Sequence, residues 1–217
     1  MRVLNLASRI VAHWRQRGSA ATLRFLASRI LRHERHVVFE ANLEAAFEDV
    51  PWSEDERLKV IDRANVDSAI GADLLEFLGG DAAAENLQGV REGNKLFVVA
   101  RGTEYQHCGY ILFRTKQSRI IGEPRDAPLI ACCFTAPSAR GRGIYRRALI
   151  AEMRHLRGCG YRRAVIETSP ENLPSRKGIE AAGFRFCREV SAWILLNSLV
   201  YQKRIESSGA TRGLILL

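Results

Sequence analysis

The run Leu129-Ile-Ala-Cys-Cys-Phe-Thr135 is followed by Ala-Pro-Ser-Ala-Arg140-Gly-Arg-Gly143 and then by Ile144-Tyr-Arg-Arg-Ala-Leu149. The first part is apolar and strand-like. The last part opens an amphipathic helix expected over Tyr145 to Arg157, ended by Gly158 and Gly160. A strand, a glycine turn and a helix start form an anion site, because the first-turn N–H groups lack intrahelical partners and the helix dipole favours negative charge there. Gly141 and Gly143 remove the Cβ that would keep a ligand from the backbone. Arg140, Arg142, Arg146 and Arg147 add positive charge. The stretch reads as a site for a phosphorylated ligand.

Apolar runs of strand length surround it. Strands are expected at Leu96–Ala100, Gly109–Arg114, Leu129–Thr135 and Arg163–Thr168, with a closing pair at Phe184–Val190 and Ser191–Tyr201. Asn172 precedes a second helix over Pro174–Ala182, stopped by Gly183. Upstream, Asn42–Asp49 reads as helical, and Ser53 with Glu56 reads as a capping box opening a helix through Leu58, Ile61 and Ala64. Helical spacing resumes from Val66 to Leu78; Asp81–Gly89 reads as loop and the tail from Ser207 as frayed. The expected architecture is an α/β domain with a mixed sheet.

The 217 residues suit one domain with a small addition, and 47% hydrophobic with 26% charged residues is an ordinary globular composition. Residues 1–36 hold eight arginines against one acid, Glu34, and so carry +7 of the +9 net charge. Val3, Leu4, Leu6, Ala7, Ile10, Val11 and Trp14 fall at helical spacing. A second helix is expected from Thr22, with Leu23, Leu26, Ile30 and Leu31 on one face and Arg24, Arg29, Arg32 and Arg35 on the other. Such an arm has three readings: docking on its own domain, lying on an anionic membrane surface, or contacting a partner. No apolar stretch reaches the length of a transmembrane helix, and no nucleic-acid module follows the arm. Five cysteines without a C-x-x-C pair point to a reducing cytoplasm, with peripheral attachment at the inner face of a membrane as a variant. Cys132 and Cys133 are expected as small core residues. The five histidines show no metal-ligand spacing.

Arg140-Gly-Arg-Gly143-Ile-Tyr145 resembles the acyl-CoA pyrophosphate loop, Q/R-x-x-G-x-G/A, of the GNAT N-acetyltransferase superfamily. Tyr145 stands where that loop ends in a small residue. About 30 residues on, Asn172-Leu-Pro-Ser175 and Gly183-Phe184 resemble the second signature, N-x-x-(A/S)…GF. The resemblance covers roughly residues 90–200. It implies a GNAT-type mixed, mostly antiparallel sheet flanked by helices, here with the added N-terminal amphipathic helical segment. Residues 1–36 would be the arm, 37–206 the acyltransferase domain, and 207–217 a flexible tail.

The resemblance also implies acetyl-CoA as acyl donor and a small-molecule primary amine as acceptor. Phe134, Thr135, Arg140, Gly141, Arg142, Gly143, Ile144, Tyr145, Asn172 and Ser175 would bind the cofactor. Main-chain N–H groups near Phe134 and Thr135 would polarise the thioester carbonyl, and the amine would attack directly. Many relatives place a tyrosine seven residues after the asparagine as general acid; this chain has Ile179. The frequent carboxylate on the strand before the loop is also missing. Glu167 and Tyr145 are the remaining catalytic candidates, each with a plain structural alternative: a salt-bridged strand-end acid, and a helix-packing aromatic. Asp67, Asp73 and Glu76 would offer acids to a cationic acceptor. The rival reading is a non-catalytic acyl-CoA-binding module tethered by residues 1–36.

Overall fold

The computed structural model describes residues 18, 19, 30–45, 47, 48 and 50–217. The first arm helix, expected from Val3 to Trp14, lies outside the described residues. Among the described residues nine strands form one sheet: β1 (Leu31–Asn42), β2 (Glu56–Ile61), β3 (Lys95–Arg101), β4 (Glu104–Leu112), β5 (Leu129–Thr135), β6 (Arg163–Thr168), β7 (Arg185–Leu195), β8 (Leu199–Glu206) and β9 (Gly209–Leu216). The helices are α1 (Val66–Ala69), α2 (Ala72–Phe77), α3 (Ala84–Arg91), α4 (Lys116–Ile120), α5 (Ile144–Gly158) and α6 (Leu173–Ala181). The strand order is β2-β3-β4-β5-β6-β1-β7-β8-β9, and every neighbouring pair is antiparallel except β5–β6. The mixed, mostly antiparallel sheet flanked by helices is therefore as expected.

Helix α5 lies across one face of the sheet because Ile144, Ala148, Leu149, Met153 and Leu156 recur on one side of it and are all buried. That stripe packs with Phe39, Phe97, Ile130, Ile166 and Ile179 in the main core, and with Val99 in a smaller cluster around Ile144. Burying each Leu or Ile side chain is worth about 1.5–3 kcal/mol. The opposite face carries two further cores. Helices α1 to α3 cover β3 and β4 through Leu74, Leu87, Val98 and Tyr110. Helix α4 covers β1, β6, β7 and β8 through Ile120, Val38, Val165, Ile194 and Val200.

Several expectations fail upstream of β3. The second arm helix fails over Leu31–His36, which belong to β1, paired with β6 on one side and β7 on the other. Asn42–Asp49 is not helical: its described residues continue β1 to Asn42 and then turn. Ser53 and Glu56 do exchange hydrogen bonds, Ser53 N–H to Glu56 Oε2 at 3.0 Å and Glu56 N–H to Ser53 O at 2.9 Å. They close a turn into β2 rather than a helix, because Glu56–Ile61 pairs with Leu96–Arg101. Helical and strand spacing share Leu58 and Ile61, and partnering with β3 decides between them.

Asp81–Gly89 is a 3-10 turn followed by most of α3, not a loop. The closing strands are divided differently. β7 runs unbroken through Val190–Ser191, turns at Leu196 and Asn197, both with positive φ, and returns as β8. The tail is not frayed: Gly209–Leu216 pairs with β8 as β9.

Candidate active site

Strands β5 and β6 pair only at Leu129↔Val165 and Ile130↔Ile166, and then part. The opening is reinforced by a bulge in β5: Cys108 faces Phe134 and Tyr110 faces Ala131, so Cys132 and Cys133 lie opposite Gly109 alone. Cys132 takes φ +53° in this bulge. It is exposed, not a core residue as expected, because the bulge turns it out of the strand alternation; Cys133 packs against the main core. Burial pushes the Cys133 thiol well above the ordinary thiol range and the Cys108 thiol up to about 12.

Beyond the opening, a 3-10 turn at Pro137–Ala139 leads to Arg140-Gly-Arg-Gly143 and the N-terminus of α5. Gly141 and Gly143 adopt φ +77° and +70°, and a Cβ at either would meet nothing within 4 Å. The turn is thus a glycine-conformation cradle open above the first helical N–H groups, whose own ladder starts with Arg147 N–H to Gly143 O. Arg140 donates from Nε to Thr135 O at 3.2 Å, which ties the turn to the end of β5. Arg140 and Arg142 are exposed beside the cradle.

Arg146 and Arg147 are engaged elsewhere. Arg146 binds Ala181 O at 2.8 Å and the Glu48 carboxylate. Arg147 grips Glu56 and stacks over Trp52. Ile144 is 1% exposed and anchors the helix start in the small core with Val99 and Ala139, so only its backbone faces the cradle.

On the same side of the sheet, Thr135 Oγ1 lies 2.8 Å from Nδ1 of His107. Burial lowers His107 to about 4, which leaves a neutral ring at physiological pH. His107 approaches the Tyr145 ring, with centroids 5.8 Å apart, and Tyr145 Oη lies 3.2 Å from Ser175 Oγ. Burial raises the Tyr145 phenol, so it stays protonated. A Cβ on Gly178 would sit 2.5 Å from the Tyr145 ring; the missing side chain lets α5 and α6 close. Asn172 caps α6: its Oδ1 accepts the Ser175 N–H at 3.2 Å. Ile179 is fully buried, so the position of the relatives' tyrosine presents no polar group.

Phe134 and Glu167 lie on the other face. Phe134 is 43% exposed and packs on Phe77, which also meets Tyr105. Glu167, just past the last β5–β6 pair, is bound by His36 Nδ1 at 2.8 Å and Gln117 Nε2 at 3.2 Å. His36 Nε2 lies 3.2 Å from Glu34 Oε2. Burial opposes charge on this imidazole, but the two carboxylates prevail and raise it to about 9. Glu167 is thus ion-paired with His36. Asp67 pairs with Arg91 at 2.9 Å. The sequence reading missed His107, Glu34, His36 and Gln117, whose partners are distant in the chain. Among the described residues no group of three His, Cys, Asp or Glu side chains could hold a metal ion, and no helix is long and apolar enough to cross a membrane.

The model of the acetyltransferase (GNAT) family matches residues 72–184, more than half of the chain, and the chain belongs to that family. Acetyltransferases of this family use acetyl-CoA. Among solved structures, a GNAT-family acetyltransferase from Colwellia psychrerythraea is 16% identical with a TM-score of 0.50, over 76% of this chain and 59% of that one. A Drosophila structural-genomics protein is 14% identical with a TM-score of 0.51, over 85% and 58%. These likenesses show the fold, and the chain spans about three-fifths of the length of each. No curated protein matches the chain.

Proposed function

We propose that the protein is an acetyl-CoA-dependent N-acyltransferase that moves an acetyl group to a primary amine of a small molecule by direct attack. The observation that carries this reading is the parting of β5 and β6 after Ile130↔Ile166, in line with the glycine cradle at the N-terminus of α5. The cradle fits a pyrophosphate: positive φ at both glycines, no Cβ obstruction, open first-turn N–H groups, and Arg140 and Arg142 at its rim. When bound, acetyl-CoA supplies the activated acetyl thioester.

The chain's own residues do the rest. Gly141 to Tyr145 hold the phosphates through main-chain N–H groups. The bulged segment from Cys132 to Thr135 offers main-chain donors for the acyl oxygen. Thr135, Tyr145 and Ser175 line the α5–α6 side of the opening, and Asn172 holds Ser175 in place through the helix cap. Glu167, on the opposite face, is the carboxylate placed to take a proton from an incoming ammonium. Tyr145 serves as a neutral hydroxyl.

Acetyl-CoA should raise the melting temperature of the wild type, and Gly143→Glu should abolish the rise by putting a side chain and a negative charge into the cradle. No shift in the wild type would contradict the cofactor reading. The burial of Ile179 favours one second reading, a binding module without turnover. Thiol release from acetyl-CoA in the presence of amines separates the two.

A further inference from the structure

Strand β1 lies outside the family-matched segment, yet it is inserted between β6 and β7. Its residues alternate. Arg32, Glu34 and His36 fall on the face that carries α4, where Val38 joins the α4 core. His36 sits on β1 two residues before Val38, which is paired with Glu167. A continuous polar chain results: Gln117–Glu167–His36–Glu34–Arg32–Asn197. Its links are 3.2, 2.8, 3.2, 2.7 and 2.7 Å. One end reaches the point where β5 and β6 part. Arg32, Gln117 and Asn197 also line an open groove of about 590 Å³, together with Glu85, Thr115 and Lys116; Glu167 does not line it, and Gln117 joins its wall to that carboxylate.

We propose that β1 builds the acceptor side of the active site: the amine enters from this groove and approaches Glu167 past Gln117, which lines the groove and binds the carboxylate at 3.2 Å, and His36 is the positioning residue that holds the Glu167 carboxylate there. The inference rests on the N-acyltransferase reading. The core lacks a hydroxyl at Ile179 and a carboxylate on β5, and Glu167, an acid just past the last β5–β6 pair, is clamped by a histidine from β1. His36 has one N–H for each carboxylate when doubly protonated, so it fixes the Glu167 rotamer while Gln117 binds the other oxygen. The wall is mostly hydroxyl, amide and mixed-charge groups, with Ile120 and Leu217 as its apolar part, which suits a small, hydrogen-bonding primary amine.

The proton balance is simple. The amine nitrogen forms the C–N bond as the C–S bond breaks. Of the two protons the ammonium gives up, one passes through Glu167 to solvent and the other ends on the departing sulfur.

The groups facing His36 are Glu34 on its own strand and Glu167 on β6. Arg32 acts through Glu34 and Gln117 through Glu167, while the β7 partner is the apolar Val190. In the full chain saturated with CoA, ethanolamine, glucosamine and lysine serve as probe amines. NMR of the His36 ring is the turnover-independent readout. At least one probe should move the His36 resonance, and Glu167→Gln should abolish the movement. A resonance unmoved by all three overturns the proposal.

With acetyl-CoA, His36→Phe should lower kcat at least tenfold and leave the KM for acetyl-CoA and its thermal shift unchanged. His36→Gln, which keeps one donor, should recover part of the loss. The wild-type rate should fall above about pH 9, and this limb should vanish in His36→Gln. Unchanged kcat and pH profile in both variants overturn the proposal. Absence of thiol release while His36 still responds to a probe contradicts the transferase reading instead, and leaves the amine site standing.

Discussion

The guanidinium of Arg147 holds the carboxylate of Glu56 in a two-point grip, with Nη2 to Oε1 at 2.9 Å and Nη1 on Oε2. The same guanidinium lies 4.9 Å over the Trp52 ring. The Arg147 and Glu56 side chains are 10% and 6% exposed, so an arginine in the first turns of α5 is spent on fastening β2 to that helix. Arg147→Ala should therefore destabilise the fold by about 3 kcal/mol, since it leaves Glu56 buried without its partner. The fraction that stays folded should keep its affinity for acetyl-CoA. Chemical denaturation and calorimetric titration check the two halves, and a large loss of affinity with little loss of stability would reverse the assignment.

Glu152 occupies a core position of α5, four residues after Ala148 and four before Leu156. It is fully buried, neither of its oxygens has a hydrogen-bond partner, and one lies against Gly109. Burial raises its carboxyl well above the ordinary value, so the native state keeps the proton after the unfolded state has lost it. Its contribution is therefore present below the ordinary carboxylate pKa of about 4.5 and is lost as pH rises toward the raised native value. Glu152→Met should stabilise the protein at pH 7 by about 1–2 kcal/mol and flatten that slope. Thermal melts from pH 4 to 8 test this.

His36 adds a second dependence in a higher window. Its native value of about 9 lies above the ordinary 6.5, so its stabilisation is complete below about pH 6.5 and is lost as pH rises through 9. About 3 kcal/mol should disappear across that interval. Glu34→Gln should shrink the loss by removing one of the two carboxylates. Denaturation midpoints at pH 6, 7.5 and 9.5 are the measurement.

Tyr145 packs first and hydrogen-bonds second. Tyr145→Phe removes only the 3.2 Å contact with Ser175, and should cost about 1 kcal/mol of stability and less than tenfold in turnover. Gly178→Ala, which drives a methyl group into the Tyr145 ring, should cost more on both counts. A Tyr145→Phe variant without activity would make the hydroxyl a catalytic group.

The cofactor side of this site was legible in the sequence because it is local. Leu129–Thr135, the glycine turn and α5 are contiguous, so the strand, the turn and the helix start can be read from one stretch. Arg163–Thr168 likewise is a short apolar run, Ala164–Ile166, closed by polar residues, and it forms β6 with the expected bounds. The proposed acceptor side is built from separated pieces: His36 meets Glu167 from 131 residues away, and Gln117 meets it from 50. β1 hid its nature because its first six residues, Leu-Arg-His-Glu-Arg-His, put polar groups on both faces and leave no apolar alternation to read. The turn at Ser53–Glu56 misled for another reason: a capping box closes a turn equally well before a strand. The bulge at Cys132 depends on pairing with β4, which no local pattern announces.

The central claim is transfer of an acetyl group from acetyl-CoA to an amine at the opening between β5 and β6. Its most direct test is thiol release from acetyl-CoA by the full chain across a panel of small primary amines, with mass spectrometry of the amine. The account predicts that thiol and acetylated amine appear in equal amounts for at least one member, and that Gly143→Glu abolishes both. A wild type that binds acetyl-CoA but acetylates none of the amines would contradict it.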